Sequence, residues 1–147
     1  MTTTDLRPLF SDLLQLEARL RGELDTELRR EFGLVVSQFE ALSVIGSHER
    51  CQVRDLTDCL SLTTGGASKL VDRLESAGLC GRRPNPRDRR SAIIGLTPTG
   101  RRLLSEASQT IEAVLRARIG PALSPASVRQ LAALLDTLAA STAAPGA

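Results

Sequence analysis

The residues with chemical capacity crowd into one stretch of the chain. From Thr63 onward come a helix-start signal, a polar-faced amphipathic run ending at Ser76-Ala77-Gly78, and then Arg82-Arg83-Pro84-Asn85-Pro86-Arg87-Asp88-Arg89-Arg90. Guanidinium groups at this density suit phosphate oxygens and the enhanced negative potential of a narrow minor groove. A helix directly before them suits the wider groove alongside. The pattern implies a double-stranded DNA partner.

Within the run, Ala67, Leu70, Val71 and Leu74 fall at i, i+3, i+4 and i+7 and must face a core. The opposite face presents Gly65, Lys69 and Asp72, flanked by Ser68 and Arg73. Thr63 is the expected N-cap. Gly65-Gly66 in the first turn has two readings: bare amides and the positive helix end free to approach a phosphate, or a frayed helix start.

The elements that must position this stretch follow from periodicity and caps. A first helix is expected from about Pro8 to Phe32, with Leu9, Leu13, Leu16, Leu20 and Leu24 on one side and Gly33 as its stop. It is longer than a small domain needs for its own core, which implies that part of it packs on a second chain. Ser37-Gln38-Phe39-Glu40 has capping-box form and predicts a second helix running to about Ser47 or His48, burying Phe39, Leu42, Val44 and Ile45. A short third helix, about Val53 to Leu60, should turn Val53, Leu56 and Leu60 inward and Arg54, Asp55 and Asp58 outward. The arrangement is a helix-turn-helix, with the Thr63 run as its reading helix. Leu79 to Arg83 and Ser91 to Leu96 read as two strands, the second with Ala92, Ile94 and Leu96 on one side, joined through the Pro84-Asn85-Pro86 turn into a wing. Asp88 among the arginines is expected to hold one guanidinium in place. Thr97-Pro98 should cap a fifth helix to about Arg118, and Ser124-Pro125 a sixth carrying Val128, Leu131, Leu135 and Leu138. Both of these, with the first helix, are expected to form a dimer platform, and Ala139 to Ala147 to fray.

Composition narrows the alternatives. A chain of 147 residues, 41% hydrophobic and 24% charged, fits one domain and is too short for separate catalytic and DNA-binding domains. The formal net charge is only +2, but seven arginines face a single acid, Asp88, between Arg82 and Arg102. The balancing acids lie elsewhere, as in Glu17, Glu23, Asp25, Glu27 and Glu31. Segregated charge of this kind marks one face for a polyanion. With one histidine, no nucleophile-base pair and no phosphate loop, the parts of an enzyme are missing. Aromatic residues make up 2% of the chain, with no Trp or Tyr, which argues against base stacking and hence against RNA or single-stranded partners. No signal segment and no apolar run of about 18 residues is present, so a cytoplasmic location is expected.

Cys51, Cys59 and Cys80 have neither CxxC nor zinc spacing, so neither a disulfide, a metal nor a cofactor is expected. Cys80 reads as a small buried hydrophobe, and Cys59 has no adjacent cation. Cys51, next to Arg50, is the candidate redox sensor. His48 is either a capping or surface residue or a ligand contact.

Five segments in order, Ser68-Lys69-Leu70-Val71-Asp72-Arg73-Leu74-Glu75, Gly78-Leu79, Arg82-Arg83, Asp88-Arg89-Arg90-Ser91 and Leu96-Thr97-Pro98-Thr99-Gly100, resemble the MarR-type (multiple antibiotic resistance regulator) winged helix-turn-helix regulators. The resemblance covers nearly the whole chain. It implies a mainly α (α+β) winged helix-turn-helix: two helices, a short strand, two helices, a two-stranded wing and two more helices. It implies an obligate homodimer, an inverted-repeat operator, and repression relieved by a small aromatic or phenolic effector or, in one branch, by cysteine oxidation. On this reading residues 34–97 form the DNA-binding part, 5–33 and 98–140 the helical dimerisation region, and 141–147 a disordered tail. The family's D-x-R-S wing motif falls on Asp88, Arg90 and Ser91, with Arg90 as the minor-groove arginine. The expected DNA-binding set is Arg54, Thr63, Thr64, Gly65, Gly66, Ser68, Lys69, Arg73, Arg82, Arg87, Asp88, Arg89 and Arg90. An effector pocket is expected where helices one, two and five meet, with Phe10, Arg21, Phe39 and His48 as its candidates.

Two departures matter. Gly65-Gly66 replaces bulkier polar residues, which shifts specificity toward DNA shape and the wing. The redox branch's cysteine near the start of helix one has no counterpart here. A competing reading, a winged-helix module that binds protein, is disfavoured by the arginine-rich wing and Lys69.

Overall fold

Helix ends in this chain are set by a few left-handed residues and by side chains that reach in from elsewhere. The computed structural model describes residues 5–142. Its elements are α1 (Arg7–Phe32), α2 (Val36–Ser47), α3 (Val53–Leu60), α4 (Thr64–Ser76), β1 (Cys80–Pro84), β2 (Ala92–Leu96), α5 (Pro98–Ile119) and α6 (Pro125–Thr142). Two compact units divide within α5, one reaching to Ile111 and the other starting at Glu112.

In the first unit, α1 ends at Gly33, whose φ of 66° lets its amide bond back to the Arg29 carbonyl at 3.1 Å. α2 begins earlier than its serine suggests. Its N-cap is Val35, Gln38 Oε1 accepts the Val35 amide at 3.0 Å, and Asp25 Oδ1 of α1 accepts the Val36 amide at 2.7 Å. A carboxylate from another helix therefore does what the Ser37 hydroxyl was expected to do. Glu40, the other half of the expected box, lies 3.9 Å from Arg21 instead. α4 starts as expected: Thr63 Oγ1 accepts the Gly66 amide at 3.0 Å. It stops in a Schellman motif, with the Leu79 amide on the Leu74 carbonyl and the Gly78 amide on the Glu75 carbonyl, both at 2.9 Å, and Gly78 at φ 73°.

The core of this unit joins Leu28 of α1, Leu42 and Ile45 of α2, Leu56 of α3, Val71 and Leu74 of α4 and Ile94 of β2, all essentially inaccessible. The four expected inward positions of α4 are its buried ones. On α2, Phe39 and Val44 are only half-buried and pack against the core, and Val36 and Ala41 are buried instead.

The strands pair antiparallel in unbroken register from Cys80↔Leu96 to Pro84↔Ala92. The short strand expected between α2 and α3 is reduced to a single bridge, Cys51↔Ile94, in which the Ile94 amide donates to the Cys51 carbonyl at 2.7 Å. Ile93, on the opposite face from Ile94, is buried as well, so the expected one-sided alternation of β2 holds only in part. Thr97 links the hairpin to α5: its hydroxyl donates to the Gly78 carbonyl at 2.6 Å and accepts the Gly100 amide at 3.0 Å. Gly100 must be glycine, because a Cβ there would stand 1.9 Å from the Leu79 carbonyl oxygen.

In the second unit, Ser124 Oγ accepts the Ser127 amide at 3.2 Å and caps α6. The end of α5 and the start of α6 enclose a cleft of about 500 Å³ lined by Leu115, Ile119, Leu123 and Val128. α6 runs through Thr142, so Ala139 to Thr142 are helical where fraying was expected, with the Ser141 and Thr142 hydroxyls bonded to the Leu138 carbonyl. The rest of the expected tail, residues 143–147, lies outside the described residues.

Candidate nucleic-acid interface

The reading helix presents an exposed polar face because its apolar stripe is fully used by the core. Thr64, Gly65, Gly66, Lys69 and Arg73 are exposed and Ser68 is half-exposed. Thr63 holds the helix start rather than offering its hydroxyl outward, so that start is capped and not frayed. Gly66 allows this closure, since a Cβ there would lie 3.0 Å from Thr63 Oγ1, whereas a Cβ at Gly65 would meet open space. Arg54 extends the exposed basic surface from α3.

The wing is arranged differently from its sequence reading. The turn expected at Pro84-Asn85-Pro86 is not the tip: Pro84 closes β1, and Asn85 is only 5% exposed. Asn85 Oδ1 accepts from Arg50 Nη2 at 3.1 Å and from the Arg87 amide at 3.0 Å, and its Nδ2 donates to Ser91 Oγ at 2.9 Å. The exposed tip is Arg87-Asp88-Arg89-Arg90. Asp88 holds no guanidinium; its carboxylate accepts the Arg90 amide at 2.9 Å, an Asx-type turn that sets the backbone of the tip.

Arg82, expected among the DNA contacts, is engaged inside the chain. Its guanidinium meets Asp72 at 2.7 Å and Glu75 at 3.1 Å, and its amide donates to Glu75 Oε2 at 2.9 Å, tying the wing stem to α4. Among the described residues the side chains of Arg54, Lys69, Arg73, Arg87, Arg89 and Arg90 take no such partner. Arg54, Thr64, Ser68 and Arg90 line one concavity of about 270 Å³ between α3, α4 and the wing, so the fold brings residues from all three expected sources together. Cations left unneutralised on a concave surface are the electrostatic footprint of a polyanion site.

The expected effector residues are not gathered. Phe10 is exposed near the start of α1. Arg21 stands eleven residues further along, roughly 16 Å at 1.5 Å per residue, and pairs with Glu17 and Glu40. Phe39 leans on the core of the first unit. His48 Nδ1 sits 2.9 Å from the Val44 carbonyl, and the residue lines a different cleft of about 540 Å³ with Glu49, Arg83, Gly95 and Arg101.

The redox candidate is corrected by burial. Cys51 is 0% exposed, and its thiol is pushed up to about 12, first by burial and then by the charge of Asp55. A thiol held protonated this firmly is a poor nucleophile. Cys80 is buried as expected, its thiol raised to about 11 chiefly by burial. Cys59 is exposed. No group of His, Cys, Asp and Glu among the described residues could hold a metal ion. No helix among them is long and apolar enough to cross a membrane.

Sequence reasoning missed Arg50 and Asn85. An asparagine between two prolines signals a side-chain-closed turn, but nothing local points to Arg50, which is 35 positions away.

A helix-turn-helix followed by a basic, internally fastened hairpin defines a winged-helix protein in which free cations of α3 and the wing, Arg54 and Arg90, line one concavity. The family model for the MarR family matches residues 32–91. Over 90% of this chain and 94% of the other, the structure is similar to a mutant of MarR from E. coli complexed with operator DNA, at 25% identity and a TM-score of 0.81. It is also similar in fold to the transcriptional regulator BldR from Sulfolobus solfataricus, at 23% identity and a TM-score of 0.85 over 95% of this chain and 99% of that one. In sequence it is 24% identical over 98 residues to YwaE, an uncharacterised HTH-type transcriptional regulator of Bacillus subtilis (strain 168). That match takes in 67% of this chain and little more than half, 57%, of the relative. Across residues 32–91, from the end of α1 to the wing, the chain matches the MarR family, and its fold is that of the MarR-type winged helix-turn-helix regulators.

Proposed function

We propose that this protein is a homodimeric, sequence-specific regulator that lays α4 in the major groove of an inverted-repeat operator and inserts the wing tip into the adjacent minor groove. The observation that carries the reading is a pair of unpaired cations, Arg54 and Arg90, on the concavity between α3, α4 and the wing, with Lys69 and Arg73 exposed on α4 and Arg87 and Arg89 exposed at the wing tip. Arg90 is the minor-groove residue in this reading, held by a tip whose backbone is already turned. The similar MarR structure is a complex with operator DNA, which supports a DNA partner for this fold.

Dimerisation is supported by apolar rows left uncovered within the chain: Leu9, Phe10, Leu13 and Leu16 on α1, and Val128, Leu131, Leu135 and Leu138 on α6. Two reading helices then meet successive major grooves, with half-sites about 10 bp apart. In the family's manner the protein acts as a cytoplasmic repressor released by a small aromatic or phenolic molecule. That part rests on the resemblance alone. A thiol switch is not favoured, because Cys51 is buried and protonated.

The test is an anisotropy titration of the purified protein on the intergenic DNA beside its own gene, across a salt series with competitor, followed by footprinting. Saturable binding that outlasts competitor and a two-half-site footprint are expected. Weak binding that ignores sequence and vanishes at modest salt overturns the reading.

A further inference from the structure

Among the described residues, the wing is fastened to the helix-turn-helix in at least three places. Arg82 binds Asp72 and Glu75 of α4 at the stem. The Ile94 amide bonds to the Cys51 carbonyl. The third fastening is Arg50 on Asn85. Arg50 and Cys51 are consecutive in the loop between α2 and α3, so one two-residue segment grips both strand β2 and the wing loop.

From Arg50 a continuous chain of hydrogen bonds reaches the tip. Arg50 Nη2 donates to Asn85 Oδ1, Asn85 Nδ2 to Ser91 Oγ, and Ser91 Oγ to the Asp88 carbonyl at 3.2 Å. Asp88 Oδ1 in turn accepts the Arg90 amide. Asn85 is buried with its side-chain oxygen and nitrogen both engaged, and such an amide is expensive to leave unpaired. The guanidinium of Arg90 stays in solvent while its backbone is pinned to the loop that carries Arg50.

We infer that Arg50 and Asn85 are positioning residues for DNA recognition, and that they set discrimination between operator and other DNA rather than the overall attraction to DNA. The inference rests on the proposed use of the wing as a minor-groove element. Specific binding needs the wing arginine and α4 at a fixed separation, and a wing already in that pose loses no ordering entropy on docking. Non-specific binding draws on phosphate charge alone and makes no such demand. Asn85 is uncharged and buried, so its effect cannot come from touching a phosphate.

The experiment measures affinity for the footprinted duplex and for a scrambled duplex, over a salt series, with the full-length protein and its Asn85→Ala, Asn85→Asp and Arg50→Gln variants. Asn85→Ala is expected to bind the footprinted duplex at least about tenfold more weakly, to bind the scrambled duplex within about twofold of wild type, and to keep the slope of log affinity against log salt. Asn85→Asp keeps both accepting bonds but can hold Ser91 only by drawing its one hydroxyl proton from the Asp88 carbonyl, so it too should lose more affinity for the footprinted duplex than for the scrambled one. Should Asn85→Ala melt below the assay temperature, Ser91→Ala cuts the same chain one bond further on, with the same selective loss expected. Wild-type affinity of the folded Asn85→Ala variant for the footprinted duplex overturns the inference. So does an Arg50→Gln variant that weakens both duplexes alike and lowers the salt slope by about one, which would make Arg50 a phosphate contact. A wild-type protein that cannot tell the two duplexes apart refutes the proposed function itself, a result visible before any variant is compared.

Discussion

Helices α4 and α6 carry apolar residues at the same helical spacing and use them in opposite ways. On α4, Ala67, Leu70, Val71 and Leu74 are buried by helices of the same unit, and the polar face is left outward. On α6, Val128, Leu131, Leu134, Leu135 and Leu138 are all between 39% and 57% exposed, and no residue of the helix is buried. Periodicity says that a stripe will be covered; it does not say by which chain. Rows of leucine in water are costly at about 25 cal/mol per Å² of apolar area, which is why the α6 row supports the proposed dimer.

If Leu135 packs across a two-fold, Leu135→Ala removes that side chain twice and should weaken dimerisation by about 3–6 kcal/mol, taking roughly 1.5–3 kcal/mol for each leucine. Sedimentation equilibrium would record this as a large rise in the dimer dissociation constant, with helicity preserved. An unchanged association constant would mean that the α6 row is covered by something else.

The matching change on α4, Leu74→Ala, should cost about 2–5 kcal/mol of folding stability at any protein concentration, because the cavity opens inside one chain. Urea unfolding at two concentrations separates this from a dimer effect. Arg90→Ala tests the outward side of the same region: about 1–3 kcal/mol of operator affinity should go, with the melting temperature held near wild type. Unchanged affinity would remove the wing tip from the interface.

An effect expected to be silent at neutral pH distinguishes the finished core from the exposed row. Burial raises the Cys51 thiol from its ordinary 9.0 to about 12, so the folded state favours the neutral form. The associated stability is complete below about pH 9 and is lost as pH climbs from there toward 12. The urea midpoint should therefore fall in that window, and a Cys51→Ala variant should show a shallower fall. At neutral pH a thiol reagent should modify Cys59 first and leave Cys51 and Cys80 until the protein unfolds, given that only Cys59 is exposed.

Much of the scaffold was legible. The limits of α3, the Thr63 cap, the buried stripe of α4, the Gly33 and Gly78 stops and the Thr97 cap all follow from residues within about four positions of one another. The candidate site was legible as an inventory of cations but not as a division of labour. Arg82 and Arg90 look alike in sequence, yet the first is neutralised by Asp72 and Glu75 and the second is free. The serine that seemed to begin α2 was bypassed because Asp25 supplies a carboxylate from the neighbouring helix. Asn85 is the turn residue it read as, and also the buried centre of the wing, which the sequence did not show.

By itself, then, the sequence determined where most helices begin and end, the start of α2 and the end of α6 excepted, which of their faces are apolar and where positive charge accumulates, since each depends on near neighbours along the chain. Tertiary structure decided which charges stay free, which polar groups are buried and how the wing is held. Those outcomes depend on partners brought together over long separations, 11 positions for Asp25 and Val36 and 35 for Arg50 and Asn85, and only the packed fold sets such distances.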